Sequence, residues 1–158
     1  MAELTRKIQG YGRGAAKDDD FYAWLLRQAD ALRNSRFPLL DRDGLAEELE
    51  AMAASEKREL KSRLIILMAH LLKWQWAEQR TLHQQSWRKT IREQRRQLSD
   101  FPTSLKKQIE PLLVELYEEA RQDEIDDTGL DAFPTDCPWQ TEELLSSSFW
   151  PSKPATSA

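Results

Sequence analysis

Glu56, Arg63 and His70 are the residues whose types and spacing first suggest chemistry, a carboxylate, a guanidinium and an imidazole each seven positions apart. At 100° per residue, seven steps return a helix to nearly the same side, so the three line up. They fall within an apolar stripe that also contains Leu49, Met52, Leu67 and Trp74. Polar groups in a buried seam must be paired, because an unpaired buried charge is costly. Arg63 can reach Glu59 or Glu56 on its own helix. His70 needs a partner from another helix, and Gln94, Glu118 and Tyr117 are the candidates. The three form either a buried polar ladder that fixes helix register or the polar anchors of a binding cleft. An acid–base pair is the most demanding version. Catalysis needs a nucleophile or a third, orienting group, and the sequence places none beside them. The ladder is therefore the leading reading, and the protein reads as non-enzymatic.

A second constellation is basic. Arg88, Arg92 and Arg95 form a stripe beside an apolar face of Trp87, Ile91 and Leu98, and Lys89 and Arg96 extend the charge. Such a helix could lie on a phosphate backbone. Against this, the sequence pI is about 5.3, unlike the strongly basic domains that bind nucleic acid. The charge is also segregated: from Lys57 to Arg96 eleven Lys/Arg face three Glu, whereas from Gln108 to Glu143 twelve acids face Arg121 alone. A basic helix packed beside an acidic one explains this as well as a nucleic-acid surface does.

Other chemistries find little support. His70 and His83 are thirteen apart and diverge around a helix, and Leu67 and Arg80 stand where a Glu-x-x-His metal unit would need Glu. One cysteine, Cys137, argues against a zinc site and an internal disulfide. It has Asp136 and Pro138 as neighbours and no adjacent cation to activate it, so it reads as structural. No phosphate loop, dinucleotide fingerprint or nucleophile elbow is present. No metal or cofactor is expected.

Helices must position these groups. Leu, Ala, Glu, Gln, Lys and Arg dominate, and there are only 5 Gly and 7 Pro. Asp18-Asp19-Asp20 can cap a first helix with Phe21, Trp24, Leu25, Gln28 and Leu32 at helical spacing. Asp41 or Asp43 can cap a long second helix, Gly44 to Gln79, with Leu45, Leu49, Met52, Leu60, Leu67, Leu71 and Trp74 as its stripe. The apolar pattern thins between Ala77 and Gln85, which predicts a bend or loop; Ser86 can then cap a third helix. Thr103 or Ser104 can cap a fourth, with Leu105, Ile109, Leu112, Leu116 and Ala120 inward. Pro111 requires either a kink or a later start, and Thr128-Gly129 ends the helix. Beyond lies an irregular Trp- and Pro-containing segment in which Thr141 can cap a short last helix, Glu142 to Leu145. Trp76 points away from Trp74; if it is exposed beside Trp139 or Trp150, that patch is a candidate partner site.

The expected architecture is all-α: a bundle of about four helices over 18–151, with flexible tails at 1–17 and 152–158. No apolar run approaches the roughly 20 residues needed to span a bilayer, and the N-terminus lacks an apolar signal core. The expectation is a cytoplasmic protein without a membrane anchor.

Several pieces together resemble a known family, the bacterial domain of unknown function number 29. They are Asp20-Phe21-Tyr22-x-Trp24, Leu45-Ala46-Glu47-Glu48-Leu49-Glu50, His70-Leu71-Leu72-Lys73-Trp74, Ser86-Trp87-Arg88-Lys89-Thr90-Ile91-Arg92-Glu93-Gln94-Arg95, Phe133-Pro134 with Cys137-Pro138-Trp139, and Phe149-Trp150-Pro151. The resemblance implies a compact helical protein of cyanobacteria or proteobacteria. It supplies no activity, cofactor or catalytic residue, and only an associational hint of toxin–antitoxin-like roles. The function expected is a helical interaction module that binds a protein partner or itself. The alternatives are a nucleic-acid-associated protein using the basic helix and a small-ligand binder or enzyme centred on His70.

Overall fold

A computed structural model describes residues 16–78 and 80–153, with the backbone alone for Arg80. The expected tails fall almost wholly outside the described residues. Six α-helices are present among the described residues: α1 (Phe21–Arg33), α2 (Arg42–Trp76), α3 (Arg80–Asp100), α4 (Thr103–Lys106), α5 (Ile109–Thr128) and α6 (Thr141–Leu145), with a 3-10 turn Phe37–Leu39 after α1. No strand occurs among them, so the all-α expectation holds. Within the stretch read as one domain, the chain divides into two compact units, up to Ser55 and from Glu56.

In the N-terminal unit, Asp20 caps α1 by accepting the Ala23 amide at 3.0 Å. Asn34, Ser35 and Arg36 end α1: the Arg36 amide returns to the Ala31 carbonyl at 2.8 Å and that of Ser35 to Leu32 at 3.2 Å. This closure needs a left-handed residue, usually Gly, and Ser35 takes the role at φ 55. Asp41 joins α1 to α2. Its carboxylate accepts Trp24 Nε1 at 3.1 Å and the Gly44 amide at 3.0 Å, while its own amide donates to Gln28 Oε1 at 2.8 Å. Asp41 is thus the cap of α2. A Cβ on Gly44 would collide with the Asp41 carboxylate and lie 3.0 Å from the Trp24 ring, so glycine is required there for close approach. Trp24, Gln28, Ala23 and Ala31 are the buried residues of α1; Phe21, Leu25 and Leu32, expected on the same inner face, are exposed.

The C-terminal unit is built on the second half of α2. Leu60, Leu64, Leu67, Met68, Leu71 and Leu72 are all fully buried. A helix apolar on most sides belongs at the centre of a fold. Around it pack Ile91 and Leu98 of α3, Ile109, Leu116, Tyr117 and Ala120 of α5, and Phe133, Trp139 and Leu144 of the C-terminal segment.

Helix ends depart from expectation in three places. Helix α2 stops at Trp76 rather than Gln79, and α3 begins at Arg80 rather than at a Ser86 cap. Ser86 lies inside α3, its carbonyl accepting the Thr90 hydroxyl at 3.2 Å. Residues 81–86 are exposed: their missing apolar period records missing burial, not a missing helix. Pro111 is the third residue of α5, where an absent N–H breaks no helical hydrogen bond. Gln140, not Thr141, caps α6, with the Gln140 amide donating to Glu143 Oε2 at 2.9 Å in a capping box. Gly129 closes α5 at φ 68, as its sequence position predicts.

Candidate functional site

The seven-residue series does not assemble into one site. Glu56 is exposed. Arg63 is half-buried and donates to Glu59 Oε1 through Nε at 3.1 Å and Nη2 at 2.7 Å, with a longer bond to Gln94 Oε1 at 3.4 Å. His70 finds its partner on its own helix. Its Nδ1 lies 2.8 Å from the Ile66 carbonyl oxygen, which can only accept, so Nδ1 carries the proton. Burial, together with the Lys73 charge, holds the His70 pKa below its ordinary value despite that carbonyl. Glu56 and Arg63 line a polar cleft of about 460 Å³ with Glu59, Arg96, Gln97 and Asp100. His70 is not among its walls.

The basic stripe divides in three. Arg95 is a structural clamp, only 3% exposed. Its Nε donates to the Leu144 carbonyl at 2.8 Å, Nη1 to Phe149 at 2.7 Å and Nη2 to Glu143 at 3.3 Å. One guanidinium thus ties α3 to both ends of the last turn, which leads into Phe149-Trp150-Pro151. Burial pulls its pKa down to about 10. Arg88 lies over Trp150 at 5.3 Å and Trp74 at 5.7 Å from the ring centroids, rings that are themselves 4.9 Å apart. Arg92 is exposed and lines a cleft of about 430 Å³ with Gln85, Arg88, Lys89, Glu93 and Arg96. Arg96 and Gln97 donate to the Glu93 carboxylate and hold its pKa down at about 2.

The acidic helix neutralises α2 rather than the arginines of α3. Lys61 meets Glu115 at 3.0 Å, and Lys73 meets Glu124 at 3.1 Å. The second pair escaped the sequence reading. Glu124 is 4% exposed, and burial raises its pKa even against the Lys73 charge. Its Oε2 has no hydrogen-bond partner. The only sequence signal was a lone lysine inside a long apolar run, which needs an acid wherever the fold buries it.

The remaining candidates are structural. The Cys137 thiol donates to the Trp139 carbonyl at 3.4 Å, and burial raises its pKa, which disfavours the thiolate. The Tyr117 hydroxyl donates to the Pro134 carbonyl at 2.6 Å, with its pKa pushed up to about 12 by burial. Trp76 is half-buried against Trp139, with centroids 6.2 Å apart. No group of three or more His, Cys, Asp or Glu side chains is placed to hold a metal ion among the described residues. No described helix is long and apolar enough to cross a membrane.

A different kind of site appears in the N-terminal unit. Of the eleven exposed large apolar residues among the described residues, eight lie there: Phe21, Tyr22, Leu25, Leu32, Phe37, Leu39, Leu49 and Met52. Phe21, Leu25 and Leu32 share one side of α1, and Leu49 and Met52 share one side of α2 with half-buried Leu45. Leu49 is 64% and Met52 65% exposed.

Among known proteins, a family model described as a domain of unknown function, DUF29, matches residues 17–150. No curated protein and no solved structure matches the chain.

Proposed function

The chain belongs to this DUF29 family, and we propose that it is a protein-interaction module that docks a partner protein on the apolar surface of its N-terminal unit. One observation carries the reading: amphipathic stripes on the helices of that unit face solvent, and eight large apolar side chains of the unit are between 39% and 65% exposed. Soluble chains rarely leave such patches uncovered without a partner for them. Helical stripes of this kind suit an amphipathic helix laid alongside them.

The test is site-specific photo-crosslinking in the native host from positions 49 and 52, with Val114 as control. Val114 is more exposed, at 79%, and has no other exposed large apolar residue beside it on α5 among the described residues. The expected result is a discrete protein adduct from 49 and 52 and none from 114. Equal, diffuse labelling from all three positions overturns the reading.

A second reading is favoured by one local fact: exposed Arg92 and Lys89, which form no ion pair among the described residues, border the α3 cleft with Arg88. Phosphates could occupy this cleft. Arg88, Lys89 and Arg92 remain for that task, since Arg95 is withdrawn into the clamp and Arg96 is held on Glu93. Nucleic-acid binding whose affinity falls with salt and whose salt dependence lessens in Arg92→Ala would support it.

A further inference from the structure

We infer that the partner on this surface is a second copy of the chain, paired through α2 as an antiparallel two-helix seam. This rests on reading the N-terminal unit as a docking surface and adds the identity and register of the occupant. Leu45, Leu49, Met52, Glu56 and Glu59 follow one another at spacings of four, three, four and three. That is the repeat of a helix–helix seam, and Arg42 precedes it by three.

The residues of this seam choose its direction. In a parallel pair, Arg42 would face Arg42, Glu56 would face Glu56 and Glu59 would face Glu59, placing like charges together at both ends. In an antiparallel pair centred between Glu50 and Ala51, Leu49 faces Met52 of the second copy and Met52 faces its Leu49. Leu45 then lies against the stem of Glu56 of the second copy, whose carboxylate reaches water. Arg42 meets Glu59 of the second copy at each end.

Glu59 has capacity for this bond. Both strong Arg63 contacts use Oε1, which leaves Oε2 for Arg42 of the second copy. Ala46 and Ala53, seven apart, flank the seam, and small side chains let two helices approach closely. Residues 49–56 are exposed throughout, so the centre of the seam is uncovered among the described residues. The arrangement is two-fold and self-complementary, the commonest symmetry of protein dimers. A stable interface takes roughly 800 Å² from each partner. The Phe21, Leu25 and Leu32 side chains of the same unit extend the apolar area available.

Two measurements on the full chain test this. In a Cys137→Ser background, Leu49→Cys and Met52→Cys variants are mixed and mildly oxidised. The expected result is a mixed 49–52 disulfide forming at least about tenfold faster than 49–49 or 52–52 dimers, because only facing positions meet disulfide geometry. By sedimentation velocity, Arg42→Glu and Glu59→Arg should each weaken dimerisation by roughly tenfold or more, and the double variant should recover most of it, as expected for directly coupled charges. A chain that stays monomeric while positions 49 and 52 crosslink a different protein overturns the second copy but leaves the docking surface standing. A monomer without such crosslinks removes both. Preferred 49–49 linkage overturns the antiparallel register.

Discussion

The two halves of α2 carry the same apolar rhythm and meet opposite fates. From Leu60 to Trp74 the stripe is sealed by α3, α5 and the C-terminal segment; past half-buried Leu45, at Leu49 and Met52, it faces solvent. The difference shows what periodicity can and cannot say. A repeating apolar position states that a surface must be covered, and only the neighbours decide whether this chain or another does the covering. In the C-terminal unit the cover is internal and is locked by polar contacts such as Arg95 and Lys73–Glu124. In the N-terminal unit the helices are well capped and tied together through Asp41, yet their apolar sides remain open.

The sharpest contrast is a pair of truncations along one helix. Leu67→Ala empties a fully buried site and should cost about 2–5 kcal/mol. Leu49→Ala should change monomer stability by no more than about 0.5 kcal/mol. Urea denaturation at low protein concentration checks both, and equal costs would show that the two halves of α2 are covered alike.

Next in size are the arginines of α3. Arg95→Leu strands three carbonyls and should cost about 2–3 kcal/mol, with faster hydrogen exchange across residues 141–151. Arg95→Lys should rescue little, since an ammonium cannot reproduce the guanidinium fork. Arg92→Ala should leave stability nearly unchanged, within about 0.5 kcal/mol.

The buried Glu124 marks the C-terminal unit by its pH response. Its folded pKa is raised by burial, so the folded state binds this proton more readily than the unfolded chain. Its contribution is therefore most favourable below the unfolded carboxylate pKa of about 4.3 and is lost as pH rises through the raised folded value. A urea midpoint series over mildly acidic pH should show this fall in the native protein relative to Glu124→Gln. Superimposable pH dependences would contradict it.

The smallest effect compares two helix ends. Ser35 and Gly129 occupy the same left-handed region, at φ 55 and 68. Ser35→Gly should stabilise by about 1 kcal/mol and Gly129→Ala should destabilise by about as much. Thermal melts of the two variants check the sign of each.

Much of the fold was legible from its punctuation. Asp20, Asp41 and Gly129 act where their chemistry predicts, and the apolar run at residues 64–72 announced the central helix. The start of α3 was hidden because solvated helix formers between Thr81 and Gln85 carry no burial rhythm. The polar residues were harder to place. Spacing put Glu56, Arg63 and His70 on one side of α2, but only tertiary structure separates an exposed carboxylate, an arginine served by Glu59 and a histidine served by Ile66. Arg95 looked like its neighbours in the basic stripe, since nothing local indicates that backbone carbonyls nearly fifty residues later will enclose it. Lys73–Glu124 required knowing which acid of α5 faces α2.

In the proposed assembly the N-terminal half of α2 is completed by another chain. Its most direct test is amide hydrogen exchange along α2 at two protein concentrations, about 1 μM and about 100 μM, chosen to bracket assembly by mass action. Amides from about 45 to 58 should exchange at least tenfold more slowly at the higher concentration, while those from 60 to 74 stay equally protected at both. Rates in the first half that are the same at both concentrations, whether fast or slow, would contradict it.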